Sequence, residues 1–401
     1  MTERLSARVG FFIQGAVSKN QDGPSVPALI GPAVEGLAEL VDSVTVVAHE
    51  APPNARDQEE VADYPLKPQR ANIDVLSLGA YGSWRDYVAR RERTKRVIRE
   101  ASHGWDVAMF RLPHRRIDAL FAGNECPRVV SIVLGYAPSF ARVVPGPRKA
   151  LQIVNTMRTE ITLKKVLRAS RVVLFNSADA AEQYRSEVPE PLLEPWSMRH
   201  ARFAHVASDR LNTDSPNIML CARITRTKGV FEALEVFARI KKRAFPKAHL
   251  HVIGDGDARV EMETRAAEQG LLDSCTFHGW VSAGPGLFSL MRDMDLMLHL
   301  SYAEGFPQAI WEALAHSVLV VCTPVGGIAH GVTDEREVLL VQVGAIDEPV
   351  HAVERLATDA HLRRSLLRHG FDRARASSVE AGCAAFVKQI AKAWPELRRV
   401  E

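Results

Sequence analysis

No run in this 401-residue chain is apolar over a length that would span a membrane. The N-terminus, MTERLSARVGFFIQG, has an apolar stretch of only five residues. That is too short for a secretory signal, so the reading is a cytoplasmic protein. Cysteine is scarce and dispersed: Cys126, Cys221, Cys275, Cys322 and Cys383 form no C-x-x-C pair. An odd, scattered set excludes a disulfide framework and predicts reduced thiols. The net charge of +3 is too small to make nucleic acid the main partner. There is no H-E-x-x-H and no Cys/His cluster, so no metal centre is expected. There is no G-x-G-x-x-G either, which makes a dinucleotide-dependent oxidoreductase the weakest of the enzyme readings.

What is present is a soluble globular composition, 46% hydrophobic and 25% charged, in a chain long enough for two domains. Apolar runs alternate with helical patterns throughout. In the first half, strands are predicted at 9–13, 44–47, 73–78, 106–112, 129–134 and 172–175. Helices are predicted at 26–41, 83–102 and 151–169, with a Pro-rich polar loop at 51–68. Pro189, Pro191, Pro195 and Pro216 interrupt the pattern, and residues 189–217 read as an inter-domain linker. The alternation then resumes with strands at 218–221, 250–253, 276–278, 296–300, 318–322 and 338–341. Strand–helix alternation predicts parallel βαβ units in doubly wound sheets, whose ligands lie beyond the carboxyl ends of the strands.

The stretch the rest is organised around is SYAEGFPQAIWEALAH, residues 301–316. It follows a buried-strand pattern, breaks at Gly305 and Pro307, and opens an amphipathic helix with Pro307 as its expected first residue. The free N–H groups of that first turn favour an anion. Glu304 and Glu312 frame the turn, and a carboxylate suits the paired hydroxyls of a sugar ring.

Other strand ends carry candidates of their own. In ARITRTKGVFEAL, Arg223 and Lys228 flank a turn and Gly229 leads into a helix, which makes a diphosphate site; Arg226 reads as solvent-facing. In QGAVSKNQDGPS, Gly15 and Gly23 would let backbone approach a ligand, or simply mark a flexible loop. FRLPHR offers Arg111 and His114 for an anionic or hydroxylated ligand, against a plain surface arginine. Gly326 and Gly327 in TPVGGIAHGV mark a turn or a close backbone approach. Asp255 and Asp257 in GDGDAR imitate a metal-binding D-x-D pair, but their place between strand and helix favours turn and cap roles. Between Arg85 and Arg99, seven basic residues stand against two acidic ones. This helix could meet an anionic membrane surface or a lipid-linked acceptor, although a solvated face explains it as well.

CARITRTKG, HVIGDGD, FHGW, SYAEGFPQAIWEALA and TPVGGI occur in that order. Over residues 215 to about 375 the set resembles the nucleotide-sugar half of retaining GT-B glycosyltransferases of glycosyltransferase family 4. The E-x7-E element, Glu304 to Glu312, is its most specific part. The resemblance implies an α/β fold of two doubly wound Rossmann-like domains facing a central cleft. It implies an acceptor-binding domain at 1–200, a nucleotide-sugar domain at 201–378, and a C-terminal helix at 379–401 that crosses back to the first.

It also assigns roles. Arg223 and Lys228 would bind the donor diphosphate and neutralise the leaving group, with no metal and no cofactor beyond the nucleoside-diphosphate sugar itself. Glu312 would accept the ribose hydroxyls and Glu304 a hydroxyl of the transferred sugar, with the Gly305 and Phe306 backbone beside sugar and phosphate. Gly23 or Gly15 would lie near the donor phosphates. Arg111 stands where the family often has a histidine near the transferred sugar. The partners implied are a nucleotide-sugar donor and an acceptor that is a sugar, a lipid-linked glycan or a small molecule. Ser317, Leu319 and His330 depart from the family pattern, and PWSMRHARF replaces its usual turn near the linker. A donor-binding protein without transfer and a sugar-nucleotide epimerase of the same fold remain alternatives.

Overall fold

The computed structural model describes residues 3–20, 23–27, 30–50, 64–66, 72–80, 84–114, 116–133, 149–175, 178–193, 209, 211, 214–305 and 307–398. The chain divides into two compact units, one of residues 1–200 with 379–401 and one of residues 201–378.

The first unit runs β1 (Arg8–Asn20), β2 (Gly23–Val26), α1 (Gly31–Ala38), β3 (Ser43–Glu50), β4 (Tyr64–Pro65), β5 (Ile73–Ala80), α2 (Trp84–Ser102), β6 (Val107–Leu112), α3 (Ile117–Gly123), β7 (Val129–Val133), α4 (Lys149–Ala169), β8 (Ser170–Phe175), α5 (Ala178–Gln183) and β9 (Pro191–Leu193). Seven strands pair in parallel in the order β5-β3-β1-β6-β7-β8-β9. β6 is buried along its whole length, as expected of a parallel strand covered on both faces. Side chains alternate between the faces. Phe11 and Ile13 enter one core, whereas Phe12 enters the other, stacked on Phe110 with ring centroids 4.3 Å apart.

Three expectations are corrected in this unit. The segment read as a glycine loop is a hairpin: β2 pairs antiparallel with the end of β1, Asn20 opposite Gly23. The helix expected at 26–41 shrinks to α1, because Val26 belongs to β2 and Pro32 is tolerated only in a first turn. The start of the expected linker is instead β9, parallel to β8.

The second unit runs β10 (Asn217–Cys221), α6 (Val230–Arg243), β11 (His249–Ile253), α7 (Arg259–Glu268), β12 (Cys275–Gly279), α8 (Pro285–Arg292), β13 (Leu296–His299), α9 (Gln308–Ala315), β14 (Leu319–Cys322), α10 (Ile328–Gly331), β15 (Leu339–Leu340), α11 (Asp347–Thr358) and α12 (Ala360–Ala376). Among the described residues its six strands are parallel, in the order β12-β11-β10-β13-β14-β15. The winding direction reverses between β10 and β13, which opens a crevice at their carboxyl ends. Ile218 and Leu220 pack on one face, and Met219, Met297 and Trp311 on the other. After α12 the chain returns to the first unit as α13 (Val379–Ala393), which buries Cys383, Phe386, Val387 and Ile390 against α1 and the sheet.

Candidate active site

The loops that follow β10 and β13 meet at this switch point. A 3₁₀ turn, Arg226–Lys228, ends at Gly229 with φ 63°, a left-handed conformation that glycine adopts without penalty. A side chain there would strike the Leu300 carbonyl, so the two loops fit only with glycine. Tyr302 N–H donates to the Thr227 carbonyl at 2.9 Å, and the Tyr302 hydroxyl donates to Glu232 Oε1 at 2.7 Å. From the other side, Thr323 Oγ1 donates to the Ser301 carbonyl at 2.6 Å and Gly327 N–H to the Gly305 carbonyl at 2.7 Å. The paired glycines thus pack on the Glu304–Gly305 backbone.

Glu304 is the centre of the charged cluster. Lys228 Nζ lies 2.7 Å from Glu304 Oε2, with the carboxylate only 7% exposed and the ammonium-bearing chain 23%. On the other oxygen, Oε1, His299 Nε2 lies at 2.8 Å and Ser301 Oγ donates at 2.7 Å. A carboxylate accepts only, so His299 presents Nε2–H to it. Burial works against the charge of Glu304, but the His299 hydrogen bond and charge, followed by Lys228, outweigh it and hold the carboxyl at about 2.

Two helices begin here with residues that have no capping side chain. Gly229 precedes α6 and Pro307 precedes α9, and neither supplies a side-chain cap, so the positive ends of both helix dipoles favour an anion there. Pro307 has an extended ψ of 94° and is the N-cap, not the first helical residue as the sequence suggested.

The remaining predicted residues of this unit fall as follows. Arg223 is exposed on the β10 loop, and Arg226 pairs with Glu261 and lies over the Phe231 ring. Glu312 is 1% exposed within α9. Phe306 lies outside the described residues. Asp255 accepts from Gly256 N–H at 2.8 Å and faces Arg259, a turn role. Among the described residues no group of three or more His, Cys, Asp or Glu side chains is placed to share a metal ion. His299 and Ser301 were not singled out from sequence. The available signal was a polar residue inside the apolar run LMLHL, five positions before Glu304.

Gly15, Gly23, Arg111 and His114 belong to the first unit. Gly15 and Gly23 have φ of 130° and 113°, so both need glycine. Arg111 is buried in β6 and is not the surface arginine of the plain reading. His114 has both ring nitrogens engaged: Nε2 lies 3.1 Å from the Ile13 carbonyl, and Nδ1 accepts from Arg116 N–H at 3.2 Å. This fixes the Nε2–H tautomer and gives the ring a structural role. Of the seven basic residues on α2, Arg91, Lys95 and Arg99 pair with Asp118, Glu92 and Glu125, while Arg93 and Arg96 are exposed.

Comparison with known proteins fits this geometry. Residues 202–372, all in the second unit, match the model of the family "Glycosyl transferases group 1". The chain is 23% identical over 245 residues to the lipopolysaccharide core biosynthesis glycosyltransferase LpsE of Rhizobium meliloti, covering 60% of this chain and 69% of that one. It is 27% identical over 213 residues to the 2-deoxystreptamine glucosyltransferase of Streptomyces kanamyceticus, covering 53% and 52%. Among solved structures, sucrose-phosphate synthase from Thermosynechococcus elongatus superposes with a TM-score of 0.69 at 18% identity, over 96% of this chain and 98% of that one. HepE of Anabaena, in complex with UDP and glucose, gives 0.64 at 15% identity over 98% and 100%. The structural likeness defines the class as the GT-B α/β fold. Residues 202–372 thus resemble a glycosyl transferases group 1 domain, within a chain that has the GT-B α/β fold.

Proposed function

We propose that the chain transfers a sugar with retained configuration from a nucleoside-diphosphate sugar to a hydroxyl acceptor, without a metal, as a member of glycosyltransferase family 4. The observation that carries this reading is the Lys228–Glu304 pair at the switch point, 2.7 Å apart and flanked by the starts of α6 and α9.

When the glycosidic C–O bond breaks, negative charge grows on the diphosphate and positive charge on the anomeric carbon. Lys228, Arg223 and the positive helix ends would stabilise the phosphate charge without reorganising. Glu304 would accept a hydroxyl of the sugar, and Glu312 the ribose hydroxyls. The acceptor oxygen would bond to the anomeric carbon on the face the phosphate leaves, and its proton would pass to the departing phosphate oxygen. Position and electrostatics carry such a step, so no carboxylate nucleophile is needed.

The second unit would take the donor, with Gly305 and Phe306 beside it, and the first unit the acceptor, with Gly15, Gly23 and Arg111 as its contributions toward the donor. The UDP and glucose bound to HepE make a uridine nucleotide the first donor to test. The names of LpsE and the streptamine enzyme fit a role in building glycans or glycosylated small molecules. We place the protein in the cytoplasm, with the exposed arginines of α2 available to an anionic or lipid-linked acceptor. No helix of the described residues is long and apolar enough to cross a membrane.

The test is release of nucleoside diphosphate from UDP-, GDP- and ADP-sugars, with and without an acceptor pool and with and without a chelator. Acceptor-dependent release that survives chelation, with an α-linked donor giving an α-linked product, is expected. Inversion or loss on chelation would overturn the mechanism, and no release from any donor would overturn the function.

A further inference from the structure

The two oxygens of Glu304 have different partners. Oε2 faces Lys228 Nζ, whereas Oε1 takes His299 Nε2 and Ser301 Oγ. The partners also differ in freedom. Lys228 is a long chain from a turn, partly exposed, whereas the His299 and Glu304 side chains are 4% and 7% exposed and Ser301 is fully buried. The Glu304 loop is held by the bonds from Thr323 and Gly327 and by Gly326 against its carbonyl. If one member of the ion pair moves, it is therefore the ammonium.

A diphosphate at this switch point needs the same ammonium. A carboxylate this deeply buried is costly to leave with no partner. The two donors on Oε1 are placed to hold it when Lys228 turns away. Resting on the donor site proposed above, we propose that Lys228 exchanges Glu304 for the donor diphosphate, and that His299 and Ser301 are positioning residues that keep the Glu304 carboxylate seated during the exchange. The Lys228–Glu304 pair is then an internal competitor of the donor. Glu304 keeps its orientation toward the sugar because its second oxygen never changes partners.

The test is binding of inorganic pyrophosphate and of UDP, GDP and ADP by calorimetry, with thermal unfolding measured in parallel. Glu304→Gln removes the competitor's charge and is expected to bind pyrophosphate about tenfold tighter than the wild type. His299→Leu leaves Glu304 dependent on Lys228 and is expected to bind several-fold weaker, while His299→Gln, whose amide still donates, recovers most of the loss. In the Glu304→Gln background, His299→Leu is expected to cost nothing further, a coupling that a merely structural histidine would not show. Weaker or unchanged binding by Glu304→Gln, or a His299 effect of equal size in both backgrounds, would overturn the exchange and leave the donor site standing. If the wild type binds none of the four probes, the donor site falls and the exchange with it.

Discussion

Gly326 backs onto the carbonyl of Glu304 so closely that a β-carbon would overlap it, and its φ of 54° is left-handed. The glycine-bearing loop after β14 is thus the floor under the acidic loop after β13. Gly326→Ala should cost about 1–3 kcal/mol from the backbone conformation alone. It should also weaken pyrophosphate binding, because a displaced Glu304 loses His299 and Ser301 and depends on Lys228 alone. Denaturant unfolding together with calorimetry checks both; a variant with wild-type values would show that the floor is not rigid.

The acid stability of the chain should depend on Glu304. Its carboxyl is held at about 2 against an ordinary 4.5. A depressed folded value means the ionised group contributes stability above about pH 4.5 and loses it as pH falls toward 2. Burial of the pair makes the loss on the order of 2–3 kcal/mol. Urea unfolding at pH 5, 4 and 3 should show a steeper decline for the wild type than for Glu304→Gln.

A second pH window lies higher. Burial first, then the charges of His249 and His278, lower the His251 imidazole to about 4, with Asp293 opposing. His251 Nδ1 and His278 Nε2 are 3.0 Å apart, and Lys241 lies near His249. The unfolded chain takes up a proton below about 6.5 that the folded chain refuses, so stability falls between pH 6.5 and 4. His251→Val should flatten that part of a plot of melting temperature against pH. An unchanged slope would mean that the neighbouring histidines carry it.

Arg363 Nε is shared between the two oxygens of Asp209, 2.9 Å from Oδ1 and 2.8 Å from Oδ2, with the aspartate and arginine side chains 14% and 10% exposed. Arg363 also donates to the Leu356 carbonyl at 2.6 Å. Asp209→Ala should strand the guanidinium and cost about 3 kcal/mol, whereas the double change with Arg363→Leu should cost less. Denaturant midpoints of the three variants decide it.

The sequence made the sheets legible because parallel strands buried on both faces are short, unbroken apolar runs. It made Glu304 and Lys228 legible because loops after such strands are where polar residues gather. It concealed three features for physical reasons. β9 opens with Pro191, which reads as a breaker yet is tolerated as the first residue of an edge strand. The β1–β2 hairpin carries glycines that suit a loop equally well. His299 sits inside an apolar run, and only the fold shows its ring turned toward Glu304 and not into the core.

The return of α13 to the first unit has a consequence for biosynthesis. The sheet of the first unit lacks Phe386, Val387 and Ile390 until the ribosome has read past the whole of the second unit. Residues 201–378 can close around their own interior while residues 1–200 still wait for α13. A nascent chain halted before residue 379 would leave the ribosome with one finished half and one greasy, uncovered sheet, a natural target for chaperones.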